Sequence, residues 1–243
     1  MIQDETRVLV RTEKLGKSYK LANELKDAVR DADLRIVRGE FVVIQGLYGL
    51  KKNAFFNLIG CLEKPTAGKY YFDYEDIALA KPHVLDDIRR LKLGYLFRNF
   101  NLIGRLSAAR NIEVPLQGLN ITVEEKHQRV ADALKSFGIE DISEKKACDL
   151  DCFEKQLVAL ARAVVNKPLM IIADEPAAEL DSREEQKLME HLLRLNSEGT
   201  AIMLITEKTD LGILNSYRRI LFENGMVWSD KGAHKLSLVR REA

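Results

Sequence analysis

Three short runs constrain this chain more than anything else in it: Phe41–Gln45 (FVVIQ), Leu169–Asp174 (LMIIAD) and Ala201–Thr206 (AIMLIT). Each is apolar at nearly every position, not at alternate ones. A strand with one wet face alternates; a strand covered on both faces does not. The three runs therefore predict central strands of a sheet with helices on both sides, and the longer amphipathic stretches between them supply those helices. The 243 residues are 46% hydrophobic, enough for a core of that kind. Thirty-eight Lys and Arg balance 37 Asp and Glu, so no global field marks the chain as a nucleic-acid binder. Three cysteines are too few for a disulfide framework and point to a reducing compartment. The start, MIQDETRVLV, lacks the apolar centre of a signal peptide, and no stretch approaches the length of a membrane span.

The N-terminal third reads differently. Segments around 8–18, 34–37 and 69–74 mix polar and apolar residues, as an antiparallel sheet with one wet face does. Thr122-Val-Glu-Glu125 and Ser182-Arg-Glu-Glu185 fit the capping box and predict helix starts. Between about Leu106 and Lys167 the sequence is mostly helical. The run after Trp228 is basic and polar, the composition of a solvated tail.

The first central run leads into Gly46-Leu-Tyr-Gly-Leu-Lys-Lys52-Asn-Ala and then the apolar segment NAFFNLIGCL. Strand, glycine-containing loop, lysine and helix is the context of a phosphate-binding loop, in which helix N-terminal amides meet an anion. Gly46 and Lys52 have the spacing of G-x-x-x-x-G-K-[ST], but Lys51 stands at the second glycine and Asn53 at the hydroxyl. Alone, the segment also reads as a strand-to-helix turn with two surface lysines. Downstream, Asp174 and Glu175 end an apolar strand in LMIIADEPAAELDS. Adjacent acids there suit a magnesium-bound water and a general base.

Taken together, GEFVVIQG, NLIGCLEKPTAGKYYFDYEDI, LGYLFRNFNLIGRLSAARNIEVPL, ALARAVVNKPLMIIADEPAAELDS and RILFENGMV resemble the nucleotide-binding subunits of ABC transporters. The likeness is to the branch serving lipoprotein release, macrolide export and cell-division permeases, and it covers essentially the whole chain. It implies an α/β P-loop NTPase fold of the ABC type, with an antiparallel β subdomain and a helical subdomain at about 98–167, in a single domain over 1–243. It also implies ATP and Mg²⁺ as cofactors, integral-membrane permease subunits as partners, and a homodimer or a heterodimer with another such ATPase. Nucleic acid is not among the implied partners. The place would be the cytoplasmic face of the cytoplasmic membrane, as a peripheral subunit.

Carried over by the resemblance, Tyr19 stacks on the base, while Gly46, Gly49, Lys51, Lys52, Asn53 and Ala54 form the phosphate loop. Asp174 holds the metal, Glu175 is the base and Asp181 belongs to the loop at the dimer interface. Several positions depart from the pattern. Lys51 puts a side chain where glycine is expected, and Asn53 and Ala54 replace a hydroxyl pair. Arg98 stands for the glutamine that senses the γ-phosphate, and Glu207 for the switch histidine. The signature reads Leu150-Asp-Cys-Phe-Glu-Lys-Gln156, so that Asp151 adds negative charge, Cys152 and Phe153 add bulk, and Gln156 is retained. Those departures lead to the expectation of a pseudo-ATPase with a structural or regulatory role under a permease, its ATP and Mg²⁺ binding weakened. The alternative is a slow but active ATPase driving export or lipid extraction. Arg98 is expected to pair with Glu207 or with Asp174 and Glu175. Phe97, Phe100, Leu102 and Ile103 are candidate contacts for a permease helix.

Overall fold

The structure, a computed structural model, describes residues 7–21, 24–208 and 217–231. In chain order its strands are β1 (Val8–Leu21), β2 (Glu24–Val37), β3 (Phe41–Gln45), β4 (Ala67–Phe72), β5 (Glu75–Asp76), β6 (Leu93–Leu96), β7 (Met170–Asp174), β8 (Ala201–Ile205), β9 (Arg218–Glu223) and β10 (Met226–Lys231). The helices are α1 (Gly49–Ile59), α2 (Pro82–Asp87), α3 (Ala108–Glu113), α4 (Val123–Phe137), α5 (Cys152–Val164) and α6 (Ser182–Ser197).

The apolar runs at β3, β7 and β8 behave as their composition requires. They sit inside a six-stranded sheet of order β10-β9-β3-β8-β7-β6, parallel except for the β9–β10 hairpin. Successive side chains of a strand point to opposite faces. Val42, Ile44, Ile172 and Met203 accordingly join a core shared with α1 and the antiparallel strands. Phe41, Val43, Ile171, Ile202 and Leu204 join a second core under α3 to α6. Two covered faces leave no room for alternation, which is why the sequence shows none.

The mixed N-terminal segments form a four-stranded antiparallel sheet of order β2-β1-β4-β5. Its inner face carries Val10, Leu34, Ile36, Tyr70 and Phe72. Three helices, α3 to α5, lie between β6 and β7, within the stretch read as helical. No helix among the described residues is long and apolar enough to cross a membrane. The run after Trp228, read as a solvated tail, begins instead as strand: residues 229–231 complete β10 and pair with β9, while the remainder, like the acidic start, lies outside the described residues.

The helix starts need one correction. Thr122 accepts from the Glu125 amide, but the return bond that would complete its box is not among those of the described residues, and the second cap is Asp181, not Ser182. The Asp181 carboxylate accepts from both Arg183 N and Glu184 N, and Glu184 returns the bond to Asp181 N. A carboxylate reaches two open amides where a hydroxyl meets one, so the box shifts back by a residue. The same device starts α5: Asp151 accepts from Glu154 N at 2.8 Å, and the Glu154 carboxylate accepts from Asp151 N at 2.8 Å. Asp151 thus keeps the capping function that a serine would have, and the carbon-rich residues beside it do not disturb the helix. Asp151→Ala should cost about 1 kcal/mol, a fall in melting temperature of roughly 2–4 °C in a thermal scan.

Candidate nucleotide site

β3, β8 and β7 are parallel neighbours, so the segments leaving their C-terminal ends meet at one edge of the sheet, where α/β folds bind ligands. β3 delivers the loop from Gly46 to Lys52, β7 delivers Asp174 and Glu175, and β8 delivers Thr206 and Glu207. Lys52 is 5% exposed. Its ammonium lies 3.1 Å from Glu207 Oε1, 3.5 Å from Asp174 Oδ1 and 3.9 Å from Glu175 Oε1. One buried cation thus joins the three segments, with more negative charge around it than it balances.

Glu175 is held tightly. Thr206 Oγ1 donates to its Oε2 at 3.1 Å and Glu207 N donates to its Oε1 at 2.5 Å. Its own N–H donates to Ile205 O at 2.9 Å. The residue adopts φ +45°, a left-handed conformation that a side-chain-bearing residue seldom takes. Strain of this kind persists where surrounding bonds over-determine it, and here it fixes the carboxylate at the sheet edge. Sequence reasoning did not select Thr206, although a hydroxyl at the end of an apolar strand was the available signal.

Asp174 is different. Its Oδ1 is buried and accepts no hydrogen bond, with only the Lys52 ion pair beside it. Burial raises its pKa; Lys52 and, more weakly, Arg98 oppose the shift, and Glu207 adds to it. A buried carboxylate oxygen left without a donor is what a magnesium ion's bound water would satisfy, so the donor set fits that ion. Asn53 lies exposed at the start of the second turn of α1 and offers an amide oxygen in place of a hydroxyl. Because the folded-state pKa of Asp174 exceeds its unfolded value, ionised Asp174 opposes folding. The penalty is absent when both states are protonated, grows as pH rises from the unfolded value to the folded one, and is constant above it. In metal-free buffer Asp174→Asn should therefore melt above the parent at neutral pH, and the two should converge below about pH 4.

The phosphate loop departs from expectation in one respect: α1 begins at Gly49, so Lys51 and Lys52 lie in its first turn. Lys51 N and Lys52 N both point to Tyr48 O, at 3.1 and 3.5 Å. Gly49 adopts φ +50° with open space around it. Ala54 is buried against the core, where a small residue fits. Gly46 is required by contact: at φ +80°, an added Cβ would stand 2.0 Å from Phe222 O on β9. Gly46→Ala should cost about 3 kcal/mol, seen as a melting temperature lower by about 10 °C.

One expectation about charge is corrected. Arg98 does not pair with Glu207, Asp174 or Glu175. It is exposed and acts on Asp174 only through space, whereas Lys52 supplies the counter-charge to all three. Buried acids need the cation that is itself buried. Glu207 makes the shortest of the Lys52 contacts, at 3.1 Å.

Other selected residues lie elsewhere. Tyr19 is half-buried on β1; its hydroxyl donates to Glu63 Oε2 at 2.8 Å, and burial together with that bond pushes its pKa up to about 12. Asp151, Cys152, Phe153 and Gln156 open α5 and share no hydrogen bond or ion pair with the Lys52 group. Cys152 is exposed. The half-buried Phe153 ring lies against the second core with Lys187 Nζ 5.7 Å from its centroid. Gln156 is fully buried, and its amide finds no partner among the described residues. Asp181 is spent on its cap. Phe97, Phe100 and Leu102 pack against the cores, while Ile103 is 40% exposed.

A family model described as "ABC transporter" matches residues 29–178. YknY of Bacillus subtilis, an uncharacterized ABC transporter ATP-binding protein, is 37% identical over 203 residues, 84% of this chain and 88% of that one. The macrolide export ATP-binding/permease protein MacB of Escherichia coli is 32% identical over 92% of this chain, which spans 34% of that protein. Among solved structures, the ATP-binding cassette MJ0796, from Methanocaldococcus jannaschii, superposes with a TM-score of 0.84 at 34% identity. The match covers 93% of this chain and 99% of that one, in a dimer captured after hydrolysis with ADP and Pi. This likeness overturns the expectation of a pseudo-ATPase with lost or impaired hydrolysis, because a cassette of the same shape has been caught with the products of the reaction. The fold is the P-loop ABC ATPase fold with its antiparallel β and helical subdomains, and binding of ATP with Mg²⁺ is consistent with it. With the family model covering more than half of its length and relatives above 30% identity along most of it, the chain belongs to the ABC transporter family of ATP-binding cassettes.

Proposed function

We propose that the chain is an ATP-hydrolysing cassette subunit that works with a membrane permease, and that its site comprises Lys52, Asp174, Glu175, Thr206 and Glu207. The observation that carries this reading is the convergence of a buried lysine with two strand-end acids at the edge where β3, β8 and β7 finish. The nucleotide's phosphates take over Lys52 from the carboxylates that hold it. Lys52 then offsets charge that builds on the phosphoryl oxygens as the bond to ADP breaks. Glu175, aimed by Thr206 and the Glu207 amide, accepts the proton of the attacking water. Asp174 and Asn53 would hold Mg²⁺, which when bound would supply further charge neutralisation at the phosphates. Glu207 gives up its ion pair and remains the anion nearest the incoming nucleotide.

The relatives support the rest of the reading. The MJ0796 cassette is dimeric, and MacB joins an ATP-binding part to a permease. We take this chain, as one domain over 1–243 with its helical part at about 98–167, to pair with a second cassette. That pair would dock peripherally on the cytoplasmic face of a permease, with Ile103 exposed toward it. The test is equilibrium dialysis with labelled ATP, with and without Mg²⁺, beside Lys52→Ala. Mg²⁺-dependent binding that the variant loses is expected; binding equal in both proteins would refute the assignment of Lys52.

A further inference from the structure

Glu207 is the outermost of the three acids around Lys52. Its side chain is 42% exposed, against 15% for Asp174 and 9% for Glu175, and it lies nearest the ammonium, at 3.1 Å. Phosphates that take up Lys52 from the solvent side therefore displace Glu207 before either strand-end acid.

The backbone that carries this carboxylate is fixed on every side. Thr206 N donates to Ile44 O at 3.0 Å, and Glu207 N donates to Glu175 Oε1 at 2.5 Å. Lys208 N donates to Thr206 Oγ1 at 3.1 Å, and the Lys208 ammonium donates to both oxygens of Glu185 on α6 at 2.6 Å. The Lys208 carbonyl accepts from Gln45 Nε2 at the end of β3. A nucleotide can turn the Glu207 side chain aside, but the segment cannot carry its charge out of the site.

The neighbours decide which phosphate meets that charge. A lysine in such a loop reaches the β- and γ-phosphates, while the loop amides hold the α and β ones. Glu175, as the base for the attacking water, lies beyond the γ-phosphorus, and its carboxylate is bonded to the Glu207 amide. Glu207 accordingly stands at the γ end. Little cationic charge is left to screen it there. Lys52 already serves three acids, Lys208 is held by Glu185, and Arg98 acts on Asp174 only through space. Lys51 lines the cleft on the hairpin side of the loop.

We propose that Glu207 makes the site select a nucleoside diphosphate over the triphosphate. This rests on the reading of Lys52 and Glu175 as a hydrolytic site. With the diphosphate bound, Lys52 meets the β-phosphate and keeps Glu207 as a second partner, since an ammonium has three donors. With the triphosphate bound, the γ-phosphate takes that partner's place and leaves Glu207 beside a group of like charge. The product ADP then competes with the substrate, and turnover falls as ADP accumulates.

The full chain is tested by equilibrium dialysis with Mg²⁺, labelled ADP being displaced by unlabelled ADP or by the uncleavable β,γ-imido analogue of ATP. The parent should hold ADP about ten-fold more tightly than the analogue. Glu207→Gln, nearly isosteric and neutral, should remove the preference by strengthening the analogue. Glu207→Asp should keep most of it, because the charge stays. In steady-state hydrolysis, added ADP should inhibit the parent more than Glu207→Gln. Salt supplies a measurement that needs no variant. Screening a repulsion should narrow the parent's preference, whereas attraction to cations alone would make salt weaken the analogue more than ADP. A parent that binds the analogue as tightly as ADP, a preference that Glu207→Gln retains, or one that salt widens overturns the selectivity and leaves the hydrolytic reading standing. No nucleotide bound by the parent, or equal binding by Lys52→Ala, overturns both.

Discussion

Lys52→Ala should lower Mg²⁺-dependent ATP hydrolysis by about 1,000-fold and also destabilise the nucleotide-free protein. The first effect follows from the removal of the buried donor facing the phosphoryl oxygens, where a single lost donor is worth about 100- to 1,000-fold. Lysine adds a full charge, which places the loss at the upper end. The second follows from what remains: Asp174, Glu175 and Glu207 stay gathered around a missing cation. Breaking a buried pair from one side costs about 3–5 kcal/mol. Exposed Glu207 escapes part of that, so about 3 kcal/mol, or roughly 6–12 °C in melting temperature, is expected. Acidification distinguishes this cause from simple loss of packing, because protonating the acids should return part of the lost stability. A variant that melts like the parent at neutral pH would show that Lys52 does not hold the acids in place. Lys52→Arg should not restore the rate, since a planar guanidinium cannot reproduce the compact ammonium inside a 5% exposed position.

The second large effect belongs to Glu175. Glu175→Gln should lower kcat by about 100- to 10,000-fold, the range for loss of a general base, with little change in KM. Glutamine is nearly isosteric and its amide oxygen can still accept from the Thr206 hydroxyl. Its NH₂ group, however, must meet the Glu207 N–H that the carboxylate accepts from at 2.5 Å. The variant should therefore bind ATP, retain it unhydrolysed and melt slightly lower when empty. Thr206→Val tests the same arrangement from outside the reacting atoms. It removes the hydroxyl that aims Glu175 and should reduce kcat while sparing KM. A fall in KM-linked binding alone would mean that Glu175 acts on the nucleotide and not on water.

Much of the molecule was legible because its signals were physical ones. Runs without alternation at β3, β7 and β8 meant two covered faces, and the two cores on either side of the sheet are what covers them. Gly46 and Lys52 were readable from spacing, and Asp174 and Glu175 from their place at a strand end. Asp151 was read as an intruding charge, yet Asp151-Cys-Phe-Glu154 has the pattern of a capping box, which a carboxylate fills as well as a hydroxyl. The counter-charge of Glu207 could not be read from its surroundings in the sequence. The lysine that satisfies it lies 155 residues away in sequence, and no local pattern carries that distance. Arg98 was given the counter-charge role for the same reason: both cations were visible, but only folding decides which is buried. Tyr19 and Trp228 show the limit most clearly. Both are aromatic residues on β-strands, and only the tertiary structure ties one to Glu63 and leaves the other 70% exposed.

On the proposed reading, Lys52 and Glu175 form a working hydrolytic site despite the substitutions around them. Single-turnover release of phosphate from γ-labelled ATP, with Mg²⁺ present and enzyme in excess, tests it most directly. The parent should convert its bound ATP to ADP and phosphate, while Glu175→Gln keeps ATP bound and intact and Lys52→Ala shows neither binding nor release. Phosphate release by the parent no greater than that of Lys52→Ala would contradict the account.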